Sequence, residues 1–139
     1  LCTLVGVSIY FGYLNEKPLS FIETMFCSTI FFIGFAWESI SDLQLKAFKK
    51  DPKNKGKICK NGLWKFSRHP NYFGELLIYL SFVIMVIETP LWWLPTVILT
   101  LFIIAVWIPN MIKIDKSLSR FEEHKSYKEK TAFIIPYIL

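Results

Sequence analysis

Residues 68–87 read RHPNYFGELLIYLSFVIMVI, a polar and basic start followed by an almost uninterrupted apolar run. Pro70 suits the first position of a helix, because its ring fixes φ and that position needs no N–H donor. The segment from Lys46 to Arg68 carries nine basic residues against a single acid, Asp51. A basic loop beside an apolar helix is typical of a membrane protein, so we predict a transmembrane span from Tyr72 to about Ile87.

Two apolar stretches precede this segment. Leu1 to Leu14 carries no charge but is shorter than the roughly 20 residues of a full span, so we interpret it as the end of a truncated first helix. A turn at residues 15–18, Asn-Glu-Lys-Pro, places Pro18 to open the next helix. The second span then runs from Leu19 to Ile40, and its pattern continues through Phe48 as though the helix projects beyond the bilayer.

A fourth apolar stretch, Leu91 to Ile112, follows a tight turn at residues 88–90. It opens with Trp92 and Trp93, whose amphipathic rings favour the membrane interface. The sequence therefore predicts an all-α integral membrane bundle of about four transmembrane segments, the first truncated. Residues 1–139 form one transmembrane domain in this interpretation, the C-terminal part of a longer protein.

The composition supports a membrane protein and excludes several other classes. Of the 139 residues 53% are hydrophobic and only 19% are charged, and the mean hydropathy is +0.40. Disorder, collagen-like repeats and coiled coils do not fit these values. Cys2, Cys27 and Cys59 form no CxxC pair, so we expect free thiols.

The net charge of +5 indicates topology, not a nucleic-acid partner, because most basic residues flank apolar spans. Two antiparallel spans return the chain to the side it left, so the Lys46 to Arg68 block and the Lys113 to Lys130 block face the same side. By the positive-inside rule we expect the 46–69 loop and the C-terminus to be cytoplasmic. The membrane is then a bacterial inner membrane or the endoplasmic reticulum.

The start of the third span predicts an anion site. Helix N-terminal N–H groups at Asn71, Tyr72 and Phe73 would be free beside the guanidinium of Arg68. His69, just before Pro70, is interpreted as a capping or hydrogen-bonding residue.

Three sets of polar residues each allow two interpretations. Glu75, one turn from Asn71, is either a functional acid in an apolar span or a partner of Arg68 or Lys65. Asp42 and Lys49, extended by Glu38, form a polar stripe for amide, ribose or adenine groups, or a snorkelling helix end with an Asp42–Lys46 pair. A third stripe, predicted to lie on one juxtamembrane helix, either binds the phosphates of a cofactor or binds anionic lipid headgroups. Its members are Lys113, Lys116, Arg120, His124 and Tyr127.

Several kinds of site find no support in the sequence. His69 and His124 stand in no HxxxH or HExxH arrangement, so no metal site is predicted. No P-loop, GxGxxG or Ser-His-Asp order occurs, so any nucleotide must bind within the helical bundle.

The run Gly62 to Glu75, GLWKFSRHPNYFGE, resembles the signature of the steroid 5-alpha-reductase C-terminal superfamily, in particular its bacterial and lower-eukaryote branch. The ending TAFIIP, Thr131 to Pro136, preceded by Tyr127, is similar to the closing motif of that branch. The upstream pattern of Asp42 with Lys49 also matches, so the resemblance covers roughly Phe35 to the C-terminus.

The resemblance implies a helical membrane protein that binds NADPH from the cytoplasmic side and reduces a carbon–carbon double bond of a hydrophobic, steroid- or lipid-like substrate. In that family the substrate-polarising acid and tyrosine lie in N-terminal helices that precede this chain, so the catalytic residues are not assigned. The cofactor-binding residues implied by position are Asp42, Lys49, Arg68, His69, Asn71, Tyr72, Glu75, Arg120 and Tyr127.

A second resemblance leaves an alternative open. The segment Arg68 to Gly74 is similar to the RHPxYxG-like segment of isoprenylcysteine carboxyl methyltransferases and phospholipid methyltransferases. That resemblance implies S-adenosylmethionine in the same pocket and a prenylated or lipid substrate. Asn71 and Glu75 favour the reductases. A non-catalytic lipid-binding or scaffold protein is the third possibility.

Overall fold

The computed structural model describes residues 2–14 and 19–138, and within these ranges the chain is helical and contains no strand. The helices are α1 Cys2–Leu14, α2 Phe21–Lys50, α3 Pro70–Met85, α4 Trp93–Phe102, α5 Ile108–Leu118 and α6 His124–Lys130. A π-helical segment, Ile103–Trp107, joins α4 to α5, and two short 3-10 helices, Pro52–Asn54 and Gly62–Lys65, lie between α2 and α3. The prediction of an all-α fold is confirmed.

Two helices are long and apolar enough to cross a membrane. One is α2, and the other is the continuous helix Trp93–Leu118 formed by α4, the π segment and α5. Helix α3 and the Val5–Leu14 part of α1 are apolar but shorter. Large apolar side chains stand exposed along α2, as expected of a surface that faces lipid; they include Phe21, Ile22, Phe32 and Leu43.

Helix α2 begins with a capping box. The hydroxyl of Ser20 accepts a hydrogen bond from the Glu23 N–H at 3.3 Å, and the Glu23 carboxylate accepts one from the Ser20 N–H at 2.7 Å. The predicted turn at residues 15–18, including Pro18, lies outside the described residues. Because α2 continues to Lys50, the predicted extension of this helix beyond the apolar stretch is confirmed.

Helices α2 and α3 pack with their backbones in contact at two glycines. A Cβ atom placed on Gly34 would lie 2.7 Å from the carbonyl oxygen of Gly74 and 2.9 Å from the Ile78 nitrogen. Both neighbours are backbone atoms, so they have no rotamer with which to move away. The rings of Trp37 and Phe73 then meet edge to face at 5.4 Å beside this crossing.

The other face of α3 packs against α4 and α5 around Trp107. The buried core here consists of Tyr79, Val83, Leu99, Trp107 and Met111. The ring of Tyr72 lies 5.3 Å from that of Trp107. As predicted, Pro70 is the first residue of α3, and turns over residues 86–92 reverse the chain into α4.

The chain widens to a π-helix at residues 103–107, which the sequence analysis did not predict. Pro109 has no N–H to donate to the carbonyl of Ala105, and its ring crowds that carbonyl. A π segment at this point keeps the helix continuous past the proline. The helix continues past Ile112, where the predicted span ends, and stops at Leu118.

The predicted basic stripe on one juxtamembrane helix is wrong. Helix α5 ends at Leu118, a turn follows, and α6 begins at His124. His124 and Tyr127 are buried, whereas Lys113, Lys116 and Arg120 are exposed, so the five residues do not share a face. The sequence pattern did not show where the helix breaks, because residues 119–123 contain no Gly or Pro.

Candidate functional site

The loop that carries the RHPN segment is fixed to the end of α2. The indole N–H of Trp64 donates to the carbonyl of Ser41 at 2.9 Å, and the Leu63 N–H donates to the side-chain oxygen of Gln44 at 2.9 Å. Gly62 adopts a positive φ of 60° directly beside the Gln44 side chain, a position where a Cβ would clash. These contacts hold residues 62–69 against the projecting end of α2.

The C-terminal segment crosses the same loop. The Arg68 N–H donates to the carbonyl of Ala132 at 2.9 Å, and the Ser67 hydroxyl donates to the carbonyl of Ile134 at 2.6 Å. The phenol of Tyr127 donates to the carbonyl of Trp64 at 2.7 Å. The two polar blocks of the sequence are therefore brought together at one end of the bundle.

At the centre of this region a buried carboxylate, Asp115, joins two basic side chains. One carboxylate oxygen lies 2.5 Å from Nη1 of Arg68, and the other lies 3.3 Å from Nε2 of His124. The side chains of Arg68 and Asp115 are only 9% and 12% exposed. Asp115 is not among the site residues predicted from the sequence. The sequence offers one indication of it: Asp115 is the single acid in the stretch IKIDK, residues 112–116, and helical spacing places it on the face opposite Lys113.

The hydrogen bonds around the start of α3 correct two expectations. Arg68 does not pair with Glu75, because its Nη1 binds Asp115, and the carboxylate of Glu75 accepts a hydrogen bond from Tyr79 at 3.1 Å instead. The Phe73 N–H is not free for an anion, because it donates to the carbonyl of His69 at 3.2 Å. The start of α3 therefore offers a smaller set of donors than the sequence indicated.

His69 does not cap α3 with its side chain. The imidazole packs edge to face against Tyr72 at 5.8 Å and Phe133 at 5.1 Å, and only 2% of the residue is exposed. Burial lowers the pKa of His69 from 6.5 to about 4, with Arg68 adding to the effect and Asp115 opposing it. The ring is therefore neutral at physiological pH and can accept or donate one hydrogen bond at each nitrogen.

Three buried polar atoms at the start of α3 make no hydrogen bond to the described residues. They are Nε of Arg68, Nε2 of His69 and Oδ1 of Asn71, all within four consecutive positions. Native proteins leave few buried polar atoms unpaired, because each costs about 1–3 kcal/mol. Such a cluster next to an ordered network is a feature of ligand-binding sites.

Three carboxylates lie together where α2 crosses α3. Glu38, Asp42 and Glu75 are close enough to interact electrostatically, and Asp42 and Glu75 belong to the predicted site. Within the described residues Asp42 forms no ion pair with Lys46, so that example of an incidental pair is not found, and the choice between a polar stripe and a snorkelling helix end stays a prediction. Acids grouped at this crossing favour hydroxyl, amide or cationic ligand groups over phosphate.

The remaining predicted residues divide between the buried network and the surface. Tyr72 accepts a hydrogen bond from Asn110 at 2.5 Å, and burial raises the pKa of Tyr127 well above its usual range. Lys49 is exposed, and Arg120 is exposed and stacks over Phe121 at 4.9 Å. Among residues 2–14 and 19–138, no three His, Cys, Asp or Glu side chains are grouped to hold a metal.

Comparison with known proteins places this architecture in a family. A family model described as "Protein of unknown function (DUF1295)" matches residues 1–131. A Delta(14)-sterol reductase of Arabidopsis thaliana is 33% identical over 78 residues, covering 49% of this chain and 21% of that protein. The probable O-methyltransferase ustE of Ustilaginoidea virens is 46% identical over 43 residues, covering 31% of this chain and 15% of that protein.

Both relatives are much longer than the region they share with this chain, which spans about a fifth of their length or less. No solved structure matches the chain. One of the two relatives is thus named as a reductase and the other as a methyltransferase.

Proposed function

The chain belongs to the DUF1295 family, which is steroid 5-alpha-reductase-like, and from this premise we propose a membrane reductase that uses NADPH. Its reaction is the reduction of a carbon–carbon double bond in a steroid- or lipid-like substrate. The matched sterol reductase supports the reaction class. A substrate of this kind reaches the enzyme through the bilayer, which fits the apolar helices of the fold.

The observation that carries the proposal is the set of unpaired polar atoms at the start of α3. A nicotinamide carboxamide has one N–H₂ donor and one carbonyl acceptor, and it would pair with Oδ1 of Asn71 and a nitrogen of His69. The free Nε of Arg68 is a further donor in the same segment. The residues present therefore fit the polar end of this cofactor.

The other predicted residues have roles in the same proposal. Asp42 and Glu75 would accept hydrogen bonds from ribose hydroxyls, since an ionised carboxylate accepts hydrogen bonds and has none to donate. The exposed Lys49 and Arg120 would meet the phosphates at the entrance, and Tyr72 and Tyr127 would support the pocket wall. When bound, the nicotinamide supplies a hydride. The residue that supplies the proton is not assigned.

We further propose that all four apolar helical units cross the membrane. Helix α3 has 16 residues and is about 24 Å long, which is shorter than the hydrocarbon core of about 30 Å. It would therefore cross a locally thinned bilayer. The end that joins the 46–69 loop to the C-terminus would face the cytoplasm, where NADPH is available.

The proposal is tested by cofactor binding to the detergent-purified full-length protein. We expect NADPH to bind and S-adenosylmethionine to bind at least tenfold more weakly. Asn71→Ala should weaken NADPH binding about 5- to 100-fold, because an unpaired buried group costs about 1–3 kcal/mol. The exposed Lys53→Ala is the matched control and should change binding less than about threefold. Equal effects of the two substitutions would refute the pocket.

A membrane methyltransferase is the second candidate, and one observation favours it. The carboxylates of Glu38, Asp42 and Glu75 lie together near the RHPN segment. Such a group suits the sulfonium and ammonium groups of S-adenosylmethionine and opposes the phosphates of NADPH. The matched O-methyltransferase supports the same reading. Tight binding of S-adenosylmethionine without NADPH would establish this candidate over the first.

A further inference from the structure

One exposed side of α5 combines basic and apolar side chains. We call this set the α5 rim, and it consists of Ile112, Lys113, Ile114 and Lys116. The two lysines are exposed, and Ile112 and Ile114 are 54% and 37% exposed. The opposite side of the same helix carries Met111 and Asp115, which are 0% and 8% exposed. The rim is therefore the more exposed side of α5 among the described residues.

This inference rests on the proposed crossing of the membrane by the helix Trp93–Leu118, whose length then sets the depth of the rim. The helix Trp93–Leu118 opens beside Trp92 and Trp93, residues that favour the membrane interface. From Trp93 to Lys113 the helix rises about 30 Å, which equals the thickness of the hydrocarbon core. Lys113 then stands at the far boundary of the hydrocarbon, and Lys116 lies about 4.5 Å further out, in the headgroup layer.

From this depth and composition we propose that the α5 rim binds the headgroups of anionic phospholipids. The ammonium groups of Lys113 and Lys116 meet the lipid phosphates, and Ile112 and Ile114 contact the upper acyl chains. Isoleucine side chains exposed beside lysines have no use in binding a soluble anion, but they gain contacts at a bilayer interface. The charge is available, because neither lysine forms an ion pair with any described residue.

The experiment measures lipid retained by the full-length protein in detergent, using native mass spectrometry with added phosphatidylglycerol or phosphatidylcholine. We expect phosphatidylglycerol to be retained in preference. Each lysine near a membrane surface contributes about 1 kcal/mol, or about fivefold, so Lys113→Gln with Lys116→Gln should weaken phosphatidylglycerol binding about 25-fold.

The matched control removes the same charge elsewhere. Lys53 and Lys55 are exposed and follow the end of α2. Helix α2 is about 44 Å long from Phe21 to Lys50, which exceeds the hydrocarbon core by about 14 Å. The two lysines therefore lie beyond the headgroup layer. Lys53→Gln with Lys55→Gln should change phosphatidylglycerol binding less than about threefold. An equal loss in both double variants would overturn the proposal in favour of a response to net charge.

Two further arms separate a lipid headgroup from a free phosphate. Ile112→Ser with Ile114→Ser should also weaken phosphatidylglycerol binding, and soluble glycerol phosphate at millimolar concentration should not displace the lipid. Displacement by glycerol phosphate together with no effect of the isoleucine variant would show a site for a soluble anion and refute the lipid surface. Equal retention of phosphatidylglycerol and phosphatidylcholine would refute it as well.

Discussion

The ion pair between Arg68 and Asp115 predicts a large loss of stability from a small change. Asp115→Asn keeps the shape of the side chain but removes its charge, and leaves the Arg68 guanidinium buried without a counter-charge. Both side chains are about nine-tenths buried, at 9% and 12% exposure. Removing one partner of such a pair costs about 3–5 kcal/mol. For a chain of this size that corresponds to a fall in melting temperature of about 10 °C or more.

The measurement is thermal and denaturant unfolding of the protein in detergent without added cofactor. The exposed pair between Lys60 and Glu123 is the internal control, since each side chain is 41% exposed. Glu123→Gln should therefore cost less than about 1 kcal/mol. The double variant Arg68→Met with Asp115→Leu removes both charges and should recover at least half of the loss seen for Asp115→Asn.

Two results would refute this reasoning. Stability of the Asp115→Asn protein within about 1 kcal/mol of the parent would mean that Arg68 is solvated or has another counter-charge. A double variant no more stable than the single variant would mean that packing, and not the uncompensated charge, sets the cost.

The structure makes three further predictions. Gly34→Ala should separate α2 from α3 and lower the melting temperature by several degrees, because its Cβ would lie 2.7 Å from the Gly74 carbonyl oxygen. Gly12→Ala is the control and should leave the melting temperature unchanged, because nothing lies within 4 Å of its Cβ. The pKa of His69 is about 4 in the fold against 6.5 in the unfolded chain. Above pH 6.5 the imidazole is neutral in both states, so this group leaves the stability unchanged. As the pH drops toward 4 the unfolded chain takes up the proton first, and the free energy of unfolding falls by up to about 3 kcal/mol. His69→Gln should lack that part of the pH dependence, and an unchanged slope would refute the assignment. Cys59 is 6% exposed and burial raises the pKa of its thiol, so maleimide should label it only after denaturation, while an introduced Lys57→Cys should label at once.

The sequence was sufficient for the helices and for the segment that carries the site. Apolar runs bounded by charges and by Pro70 predicted α2, α3 and the long helix from Trp93, because these signals are local. The meeting of the two polar blocks also followed from counting spans. Lys60 and Glu123, 63 positions apart, form an ion pair at that end of the bundle.

The sequence was insufficient wherever the outcome depended on which distant side chains meet. Nothing local in RHPN distinguishes a free Arg68 from one bound to Asp115, 47 positions away. The alternative in which Glu75 pairs with Arg68 failed for that reason, because Asp115 occupies the Arg68 guanidinium. The bond that Glu75 makes with Tyr79, four positions along the same helix, is a local contact that helical spacing allows. The break between Leu118 and His124 was not predicted, because the spacing of three or four residues between Lys113, Lys116, Arg120 and His124 continues across it. The cofactor roles of the nine predicted residues stay predictions.

The most direct test of the account follows hydride transfer. The full-length protein, in vesicles of its native lipid extract, is supplied with NADPH carrying deuterium at the transferable position of the nicotinamide, and the lipids are analysed by mass spectrometry. We predict a product in which the former double bond carries one deuterium from the cofactor and one hydrogen from water. Its mass is about 3 units above that of the precursor lipid. The amount of product formed should roughly equal the amount of precursor lost. A parallel reaction is supplied with S-adenosylmethionine that carries a labelled methyl group. Absence of deuterium from the lipids of the first reaction, with labelled methyl groups in the lipids of the second, would contradict the account.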